Sequence, residues 1–95
     1  MQKYRDHRIK DLMRIPGVGN SIAHDFLNIG VNSVSDLKGK DPVELYHQSN
    51  RFARVIQDRC LLYVFRCAVY FAENNEHENE KLKWWNWKLD SDVAK

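Results

Sequence analysis

Residues 12–37 read LMRIPGVGNSIAHDFLNIGVNSVSDL, and this stretch decides the fold. An amphipathic helix is predicted just before the turn, over residues 3–14. It has to stop at Arg14 or Ile15, because Pro16 disfavours helical geometry in the residue that precedes it. The Gly-Val-Gly run that follows turns the chain, since glycine adopts positive φ without a steric penalty. The stretch therefore predicts a helix, a sharp turn and a second helix.

The second helix is predicted from apolar residues at helical spacing, and it ends at Gly30, a natural left-handed stop. Those apolar residues are Ile22, Ala23, Phe26 and Leu27. The segment from Ser33 to Asp36 then reads as a capping pattern. It predicts a short third helix that ends at Gly39.

A fourth helix is indicated by Asp41 and Pro42, an N-cap residue followed by a proline in the first turn. We expect this helix to run to about Gln48. The side chains that it would bury are Val43, Leu45 and Tyr46. Residues 49–56 are either irregular or loosely helical, and the pattern does not decide between the two.

Residues 58–72 predict a long helix that is apolar nearly all round and therefore central to the domain. It should be the most buried element, and we expect the first hairpin to cover it, because only that hairpin supplies enough apolar surface. The expected contacts join Leu61, Val64, Phe65 and Ala68 to Val18, Phe26 and Leu27. No alternating apolar run of strand length occurs in the sequence. The predicted fold is all-α, a compact domain of about five helices.

The composition indicates one domain with a mild charge. The chain has 95 residues, of which 43% are apolar, enough for one core over residues 1–88. Residues 89–95 read as a disordered tail. The net charge is +2, but residues 1–40 carry +3 and residues 41–95 carry −1. The N-terminal half is therefore the expected electrostatic face.

Cysteine usage and hydropathy favour a cytoplasmic chain. Cys60 and Cys67 are two turns apart on one helix, too far to bridge each other, so we expect reduced thiols. The N-terminus lacks the apolar core of a signal peptide. No apolar run approaches the roughly 20 residues of a membrane span, so we expect no membrane association.

The residue types offer no catalytic or metal-binding constellation. A zinc site needs four ligands, and the sequence has neither a Cys-x-x-Cys motif nor a matched histidine pair. No nucleophile with a base and no paired carboxylates are evident. We therefore expect a protein that is not an enzyme and uses no cofactor. Arg66, inside the apolar helix, is expected to pair with a carboxylate or to stack on a tryptophan, in a structural role.

The turn at residues 15–19 has the chemistry of an anion site. Gly17 and Gly19 leave backbone N–H groups bare at the start of a helix, where the helix dipole favours a phosphate. The predicted DNA-binding groups are the amides of Gly17, Val18, Gly19 and Asn20, helped by Ser21, Arg14 and Lys10. A bulky residue at Gly19 is expected to damage the turn and to block the phosphate.

The apolar positions, the Pro-Gly-Val-Gly turn, the small Ala23 and the closing Gly-Val of this stretch closely resemble the helix-hairpin-helix family. The resemblance implies binding to the DNA or RNA backbone without reading of sequence, often with a monovalent cation on hairpin carbonyls. Those carbonyls would here belong to Met13, Ile15 and Val18. Many members carry Lys or Arg where this chain has Asn20 and Ser21, so we expect weak binding. The cations that could compensate are Arg8, Lys10 and Arg14.

Residues 58–70 and 82–87 resemble a small bacterial family labelled pathogenicity locus, whose relatives include proteins called mitomycin resistance proteins. The resemblance covers roughly residues 9–88. It implies a bacterial, cytosolic chain with two hairpins, in which the fourth and fifth helices form a degenerate second hairpin. It implies no activity, because the family name carries no mechanism.

Two functions remain open at this point. The first is a non-sequence-specific nucleic-acid backbone binder with an accessory role in DNA metabolism or repair. The second is a protein-interaction module, as in sterile-alpha-motif-like domains, whose hairpin is only scaffold. Its working surface would be the aromatic tail at residues 81–88, with Trp84, Trp85 and Trp87. These tryptophans either cap the core or form an exposed surface for a protein partner or for unpaired bases. We expect the protein to be a monomer or a weak dimer.

Overall fold

The computed structural model describes residues 2–88, with side chains from residue 7 onward. Its α-helices are α1 (Gln2–Leu12), α2 (Asn20–Asn28), α3 (Pro42–Ala53) and α4 (Cys60–Glu73). Its 3-10 helices are η1 (Val34–Leu37), η2 (Asn79–Leu82) and η3 (Trp84–Trp87). This range contains no strand, which confirms the all-α prediction, and no helix in it is long and apolar enough to cross a bilayer. The tail predicted at residues 89–95 lies outside the described residues.

The glycine turn, as we call residues 13–19, connects α1 to α2. α1 ends before the predicted Arg14 or Ile15, because the amides of these two residues donate to carbonyls three residues back, each at 3.2 Å. Gly17 has φ +88°, the left-handed conformation that the turn requires. Gly19 has φ −97° and is the N-cap of α2. Only the first glycine of the turn therefore uses a positive φ.

Gly30 ends α2 as predicted. It has φ +88°, and its amide donates to the Leu27 carbonyl at 3.1 Å. The Val31 amide donates to the Phe26 carbonyl at 2.9 Å. These two bonds form a Schellman motif, which satisfies the last carbonyls of the helix.

The short third helix is present as η1, but the predicted serine cap is wrong. The Ser33 side chain makes no capping bond to the backbone and instead lies 3.0 Å from Ser35 Oγ. The Val34 amide donates to Asp11 Oδ2 of α1 at 2.7 Å. A distant carboxylate thus takes the place of the local cap.

The start of α3 is confirmed, because Asp41 Oδ1 accepts the Val43 amide at 3.0 Å. The helix continues to Ala53, five residues beyond the predicted end at Gln48. Val43 is 40% exposed, contrary to its predicted burial, whereas Leu45 is buried. Residues two apart on a helix point about 200° away from each other, so these two side chains cannot share the buried face.

Side-chain bonds hold the loop between α3 and α4. Arg54 ends α3 at φ +60°, and the Gln57 amide donates to Asn50 Oδ1 at 3.0 Å. The half-buried Tyr46 donates its hydroxyl to the Gln57 carbonyl at 2.5 Å. Residues 49–53, which the sequence left undecided, are therefore helical, and the loop begins only after them.

α4 begins at Cys60, whose amide donates to Asp58 Oδ1 at 2.8 Å. As predicted, it is the most buried helix, with Leu62, Tyr63, Val64, Phe65, Cys67, Ala68, Val69 and Ala72 buried. Phe65 stacks on Phe26 of α2, with ring centroids 4.8 Å apart. The predicted core residues join one cluster: Val18, Phe26, Val64, Phe65 and Ala68, with Leu27 and Leu61 packed against it. η1, which belongs to the first hairpin, does pack on α4, but most of the neighbours of α4 come from α3 and η3, so the prediction that only the first hairpin supplies enough cover is wrong.

The aromatic tail at residues 81–88, which we call the tryptophan segment, folds back onto α4. Trp84 is half-buried against the core, and Trp87 Nε1 donates to the Lys81 carbonyl at 2.8 Å. Arg66 of α4 donates to the Trp87 carbonyl at 3.0 Å. Trp85 remains 56% exposed. Two of the three tryptophans therefore cap the helical body, and one faces solvent.

Both cysteines are free thiols, one exposed and one buried. Burial raises the pKa of Cys67 to about 11, so this thiol stays protonated at neutral pH. A hydrogen bond to Asp58 raises the pKa of Cys60. Neither thiol is activated as a nucleophile, because both pKa values move away from neutrality.

Candidate nucleic-acid interface

The N-terminus of α2 carries backbone donors that no described side chain caps. The first helical bond runs from the Ala23 amide to the Gly19 carbonyl at 2.9 Å, so the amides of residues 19–22 precede the helical ladder. Gly19 offers no capping side chain. No described heavy atom outside its chain neighbours lies within 4 Å of the position that a Cβ on Gly19 would take. An anion can therefore approach these amides from that side without displacing protein atoms.

Two predictions about this turn need correction. The Val18 amide donates to the Ile15 carbonyl at 3.0 Å, and the Val18 side chain is only 5% exposed, so this residue seals the turn to the core and offers no donor. The amide of Ile22, which the sequence analysis missed, belongs to the uncapped group instead. At Gly19 the φ of −97° is not strained and a Cβ meets no described atom within 4 Å, so a small side chain there leaves the turn intact, and the damage expected from a bulky residue stays a prediction.

Gly17 lies beneath the indole of Trp84. A Cβ built on Gly17 would stand 2.6 Å from Trp84 Cδ1, so the ring occupies the space that any side chain would need. Glycine is therefore required at position 17 for two reasons: the backbone has a positive φ, and the Trp84 ring approaches too closely for a side chain. The tryptophan segment and the glycine turn form one continuous surface. The sequence did not reveal this, because the two segments lie near opposite ends of the chain.

Two of the three cations expected beside the turn have partners within the protein. Arg14 Nη1 lies 2.6 Å from Asp11 Oδ1. Arg8 Nη1 donates to Asn32 Oδ1 at 3.1 Å. Lys10 is exposed, and none of the ion pairs among the described side chains involves it. Lys10 is therefore the cation best placed to meet a polyanion.

Arg14 lines a cleft of about 490 Å³ between α1, η1 and the end of α4. The polar groups of this cleft include those of Asp11, Arg14, Ser33, Ser35, Lys38 and His77. The His77 ring stacks on Phe71 with centroids 4.6 Å apart. The sequence analysis missed this cleft, because its walls come from three separate segments. Arg14 belongs to the cleft with its partner Asp11.

A second exposed surface lies at residues 51–59, which comprise the last turn of α3 and the loop after it; we call this surface the Arg54 loop. Its apolar side chains Phe52, Val55 and Ile56 are 59%, 59% and 84% exposed. Its arginines Arg51, Arg54 and Arg59 are exposed as well. The sequence signal for this surface is the run RFARVI at residues 51–56, in which each of two arginines is followed by two apolar residues.

The cation predicted on the carbonyls of Met13, Ile15 and Val18 stays a prediction. The Ile15 carbonyl already accepts the Val18 amide at 3.0 Å. Within the described part of the chain, no group of three His, Cys, Asp or Glu side chains could hold a metal ion.

Comparison with known proteins shows which proteins this chain is similar to. The profile of a family described as Pathogenicity locus matches residues 5–91. The mitomycin resistance protein McrB of Streptomyces lavendulae is 34% identical over 77 residues, which are 81% of this chain and 70% of that protein. A DNA polymerase IV of Photorhabdus laumondii subsp. laumondii is 34% identical over 53 residues, which are 56% of this chain but only 15% of the polymerase. No solved structure matches the chain.

Proposed function

The chain belongs to the Pathogenicity locus family, whose name states no mechanism. From the geometry of the glycine turn and the N-terminus of α2 we propose that it is a non-sequence-specific nucleic-acid-binding module. The glycine turn and its two helices act as a helix-hairpin-helix motif that holds the phosphate backbone of DNA or RNA. The protein works by binding and not by catalysis, in an accessory role in DNA metabolism or repair. Its two free cysteines fit a reducing bacterial cytoplasm.

The observation that carries the proposal is the uncapped N-terminus of α2. Its amides at residues 19–22 have no bond within the helix, and they stand at the positive end of the helix dipole. A phosphate is the anion that such a site prefers. The open space at Gly19 leaves room for a phosphate oxygen to reach the amides. Backbone contacts of this kind position a nucleic acid without reading its bases, hence the lack of sequence preference.

The comparisons add limited support. The polymerase relative is by its name a DNA-handling protein, and it is 34% identical to 56% of this chain. Because the match covers only 15% of the polymerase, a shared DNA-contacting role can be carried over, but the polymerase activity cannot. The name of the mitomycin resistance protein states a resistance and no binding partner.

Binding should be weak, because the turn supplies amides and hydroxyls but little charge. Asn20 and Ser21 donate hydrogen bonds without neutralising a phosphate, and of the three nearby cations only Lys10 has no described hydrogen bond or ion pair to another side chain. We expect a dissociation constant at or above the ordinary non-specific range of about 10⁻⁶ to 10⁻⁴ M. The salt slope should be shallow, near −0.9 for each phosphate that a cation neutralises.

The alternative is a protein partner that binds the tryptophan segment. The exposed aromatic surface available to such a partner is smaller than the three tryptophans of the sequence suggested. Trp84 lies on Gly17 and the core, and Trp87 donates to the Lys81 carbonyl. Only Trp85 remains mostly exposed for a partner.

The test is fluorescence anisotropy with two labelled duplexes of unrelated sequence, each titrated with the full chain at about 50 and 200 mM salt. We expect equal affinity for the two sequences and weaker binding at the higher salt, with single-stranded DNA and RNA competing. If high micromolar protein binds no duplex, single strand or RNA at low salt, the nucleic-acid function is excluded and the interaction module takes its place.

A further inference from the structure

We propose that the exposed indole of Trp85 is a stacking platform for an unpaired base, so that this surface takes single-stranded segments and strand ends in preference to continuous duplex. The inference rests on the proposed function, because the phosphate of the same strand would lie at the N-terminus of α2. It adds the class of nucleic acid that the interface selects.

The first step is the fixed position of Trp85 relative to the glycine turn. The Trp84 ring contacts Gly17, and the Trp85 ring stands almost perpendicular to it, at 86°, with centroids 5.7 Å apart. With standard bond lengths, the Trp85 ring centre is therefore no more than about 13 Å from the Gly17 Cα. A strand of a few nucleotides can span both the indole and the α2 amides, since single-strand grooves accommodate about 4–16 nucleotides.

The second step is the rigidity of the segment that holds the indole. Asn86 Nδ2 donates to the Glu80 carbonyl at 2.8 Å, and the Asn86 backbone amide donates to the Lys83 carbonyl at 2.9 Å. Trp87 is tied to Lys81 by its indole N–H, and Arg66 of α4 donates to the Trp87 carbonyl. Trp85 thus stands exposed between anchored neighbours. A preorganised ring loses little conformational entropy when a base stacks on it.

The third step is the charge around the indole. Residues 73–80, just before this segment, carry four glutamates that would repel a phosphate backbone if their carboxylates were bare. Glu80 Oε2 lies 3.1 Å from Lys83 Nζ, and Glu78 Oε2 lies 3.5 Å from Lys81 Nζ. Glu78 and Glu80 are therefore each paired with a lysine, which reduces the repulsion that these two carboxylates exert on a phosphate.

The selectivity follows from base stacking. Every base has a π face, so an indole accepts any of them without sequence preference. In a continuous duplex those faces are already stacked on neighbouring base pairs. Only an unpaired base, or the terminal pair at an end, offers a face to Trp85.

The experiment compares Trp85→Ala, Trp85→Phe and wild type in anisotropy titrations with a single strand of about 12 nucleotides and with the blunt duplex of the same sequence. Phe52→Ala is the matched control, because Phe52 is a similarly exposed aromatic residue in the Arg54 loop. We expect Trp85→Ala to weaken single-strand binding by about 5- to 150-fold, the equivalent of 1–3 kcal/mol of stacking per base. Duplex binding should change less than twofold, Trp85→Phe should restore most of the affinity, and Phe52→Ala should change neither.

A second readout uses wild type only, so that it does not depend on how the variants fold. In an NMR titration, the indole N–H resonance of Trp85 should shift with the single strand and much less with the duplex. Equal weakening of strand and duplex by Trp85→Ala, or backbone shifts without an indole shift, overturns the inference while the proposed function stands. Loss of self-association in Trp85→Ala with unchanged strand affinity assigns the indole to a second copy of the chain and also overturns it. Absence of all nucleic-acid binding in wild type excludes the proposed function and this inference together.

Discussion

Replacing Gly19 by aspartate should raise stability and weaken nucleic-acid binding, which separates the two roles of the α2 N-terminus. Gly19 has φ −97° and ψ −167°, the extended geometry that an N-cap aspartate adopts. No described heavy atom beyond its chain neighbours lies within 4 Å of the added Cβ. The new carboxylate would accept the amides of Ser21 or Ile22, the donors that we assign to a phosphate.

The expected magnitudes come from three additive effects on stability and one on binding. An aspartate cap exceeds glycine by a few tenths of a kcal/mol, the helix dipole adds about 0.3–1, and the lost freedom of the unfolded chain adds about 0.4–1. Gly19→Asp should therefore stabilise the domain by about 1–2.5 kcal/mol, and each kcal/mol raises the Tm by about 4–8 °C. The loss of one charge-assisted hydrogen bond to phosphate, about 1.5–3 kcal/mol, should weaken nucleic-acid binding by roughly 10- to 150-fold.

The assays are thermal unfolding by circular dichroism and anisotropy with a labelled duplex. Gly19→Ser is a cap without charge and should fall between wild type and Gly19→Asp in both measurements. His47→Glu carries the same change of charge on the exposed side of α3 and should bind within twofold of wild type. The reasoning is refuted if Gly19→Asp binds like wild type, or if its stability falls together with its affinity.

Two further predictions concern the cations and the turn. Lys10→Gln should weaken binding to all sequences alike and reduce the salt slope by about 0.9, whereas Arg14→Gln, whose guanidinium is already ion-paired, should change the slope less in the same salt titrations. Gly39→Ala should lower the free energy of unfolding by about 1–2 kcal/mol, because alanine is strained at the left-handed φ of this position. No clash adds to this cost, since the space that the new Cβ would take is open. Gly17→Ala should cost about 1–3 kcal/mol more in urea unfolding, because the methyl group also displaces the Trp84 ring, and equal losses for the two alanines would contradict that contact.

The parts of the fold that the sequence predicted are those set by local chemistry. Gly30 stops α2 because no other residue adopts a left-handed conformation so cheaply. Asp41 starts α3 because its carboxylate reaches an amide only two residues away. The apolar periodicity of residues 58–72 identified the central helix, since an apolar stripe has to be covered wherever the rest of the chain lies.

The parts that the sequence did not predict depend on contacts between distant segments. α3 ends at Arg54 without a glycine, because side chains such as Asn50 and Gln57 hold the following loop. The η1 cap comes from Asp11 on another helix. The contact between Trp84 and Gly17, which completes the candidate site, joins two segments that no spacing rule connects. The sequence thus pointed to the candidate anion site but not to the Trp84 ring beside it.

The difference in amide availability within the glycine turn shows the same limit. The glycine pattern of the turn offered the amides of Gly17, Val18, Gly19 and Asn20 as equivalent donors. The structure distinguishes them, because the Val18 amide is bonded to the Ile15 carbonyl while Gly19 and Asn20 precede the first bond of the α2 ladder. Which amide a tight turn leaves open depends on its φ and ψ values, and a glycine pattern alone does not fix these.

The most direct test of the central claim is an amide chemical-shift titration of the isotope-labelled full chain with a short oligonucleotide at low salt. We expect the largest backbone shifts on residues 19–22, because these amides gain a phosphate partner. The Val18 amide, already bonded within the turn, and the Gly39 amide, which donates to Glu73 Oε2 at 2.9 Å, should move little. Shifts centred on the Arg54 loop or on the Arg14 cleft, with residues 19–22 unmoved at saturation, would contradict the account.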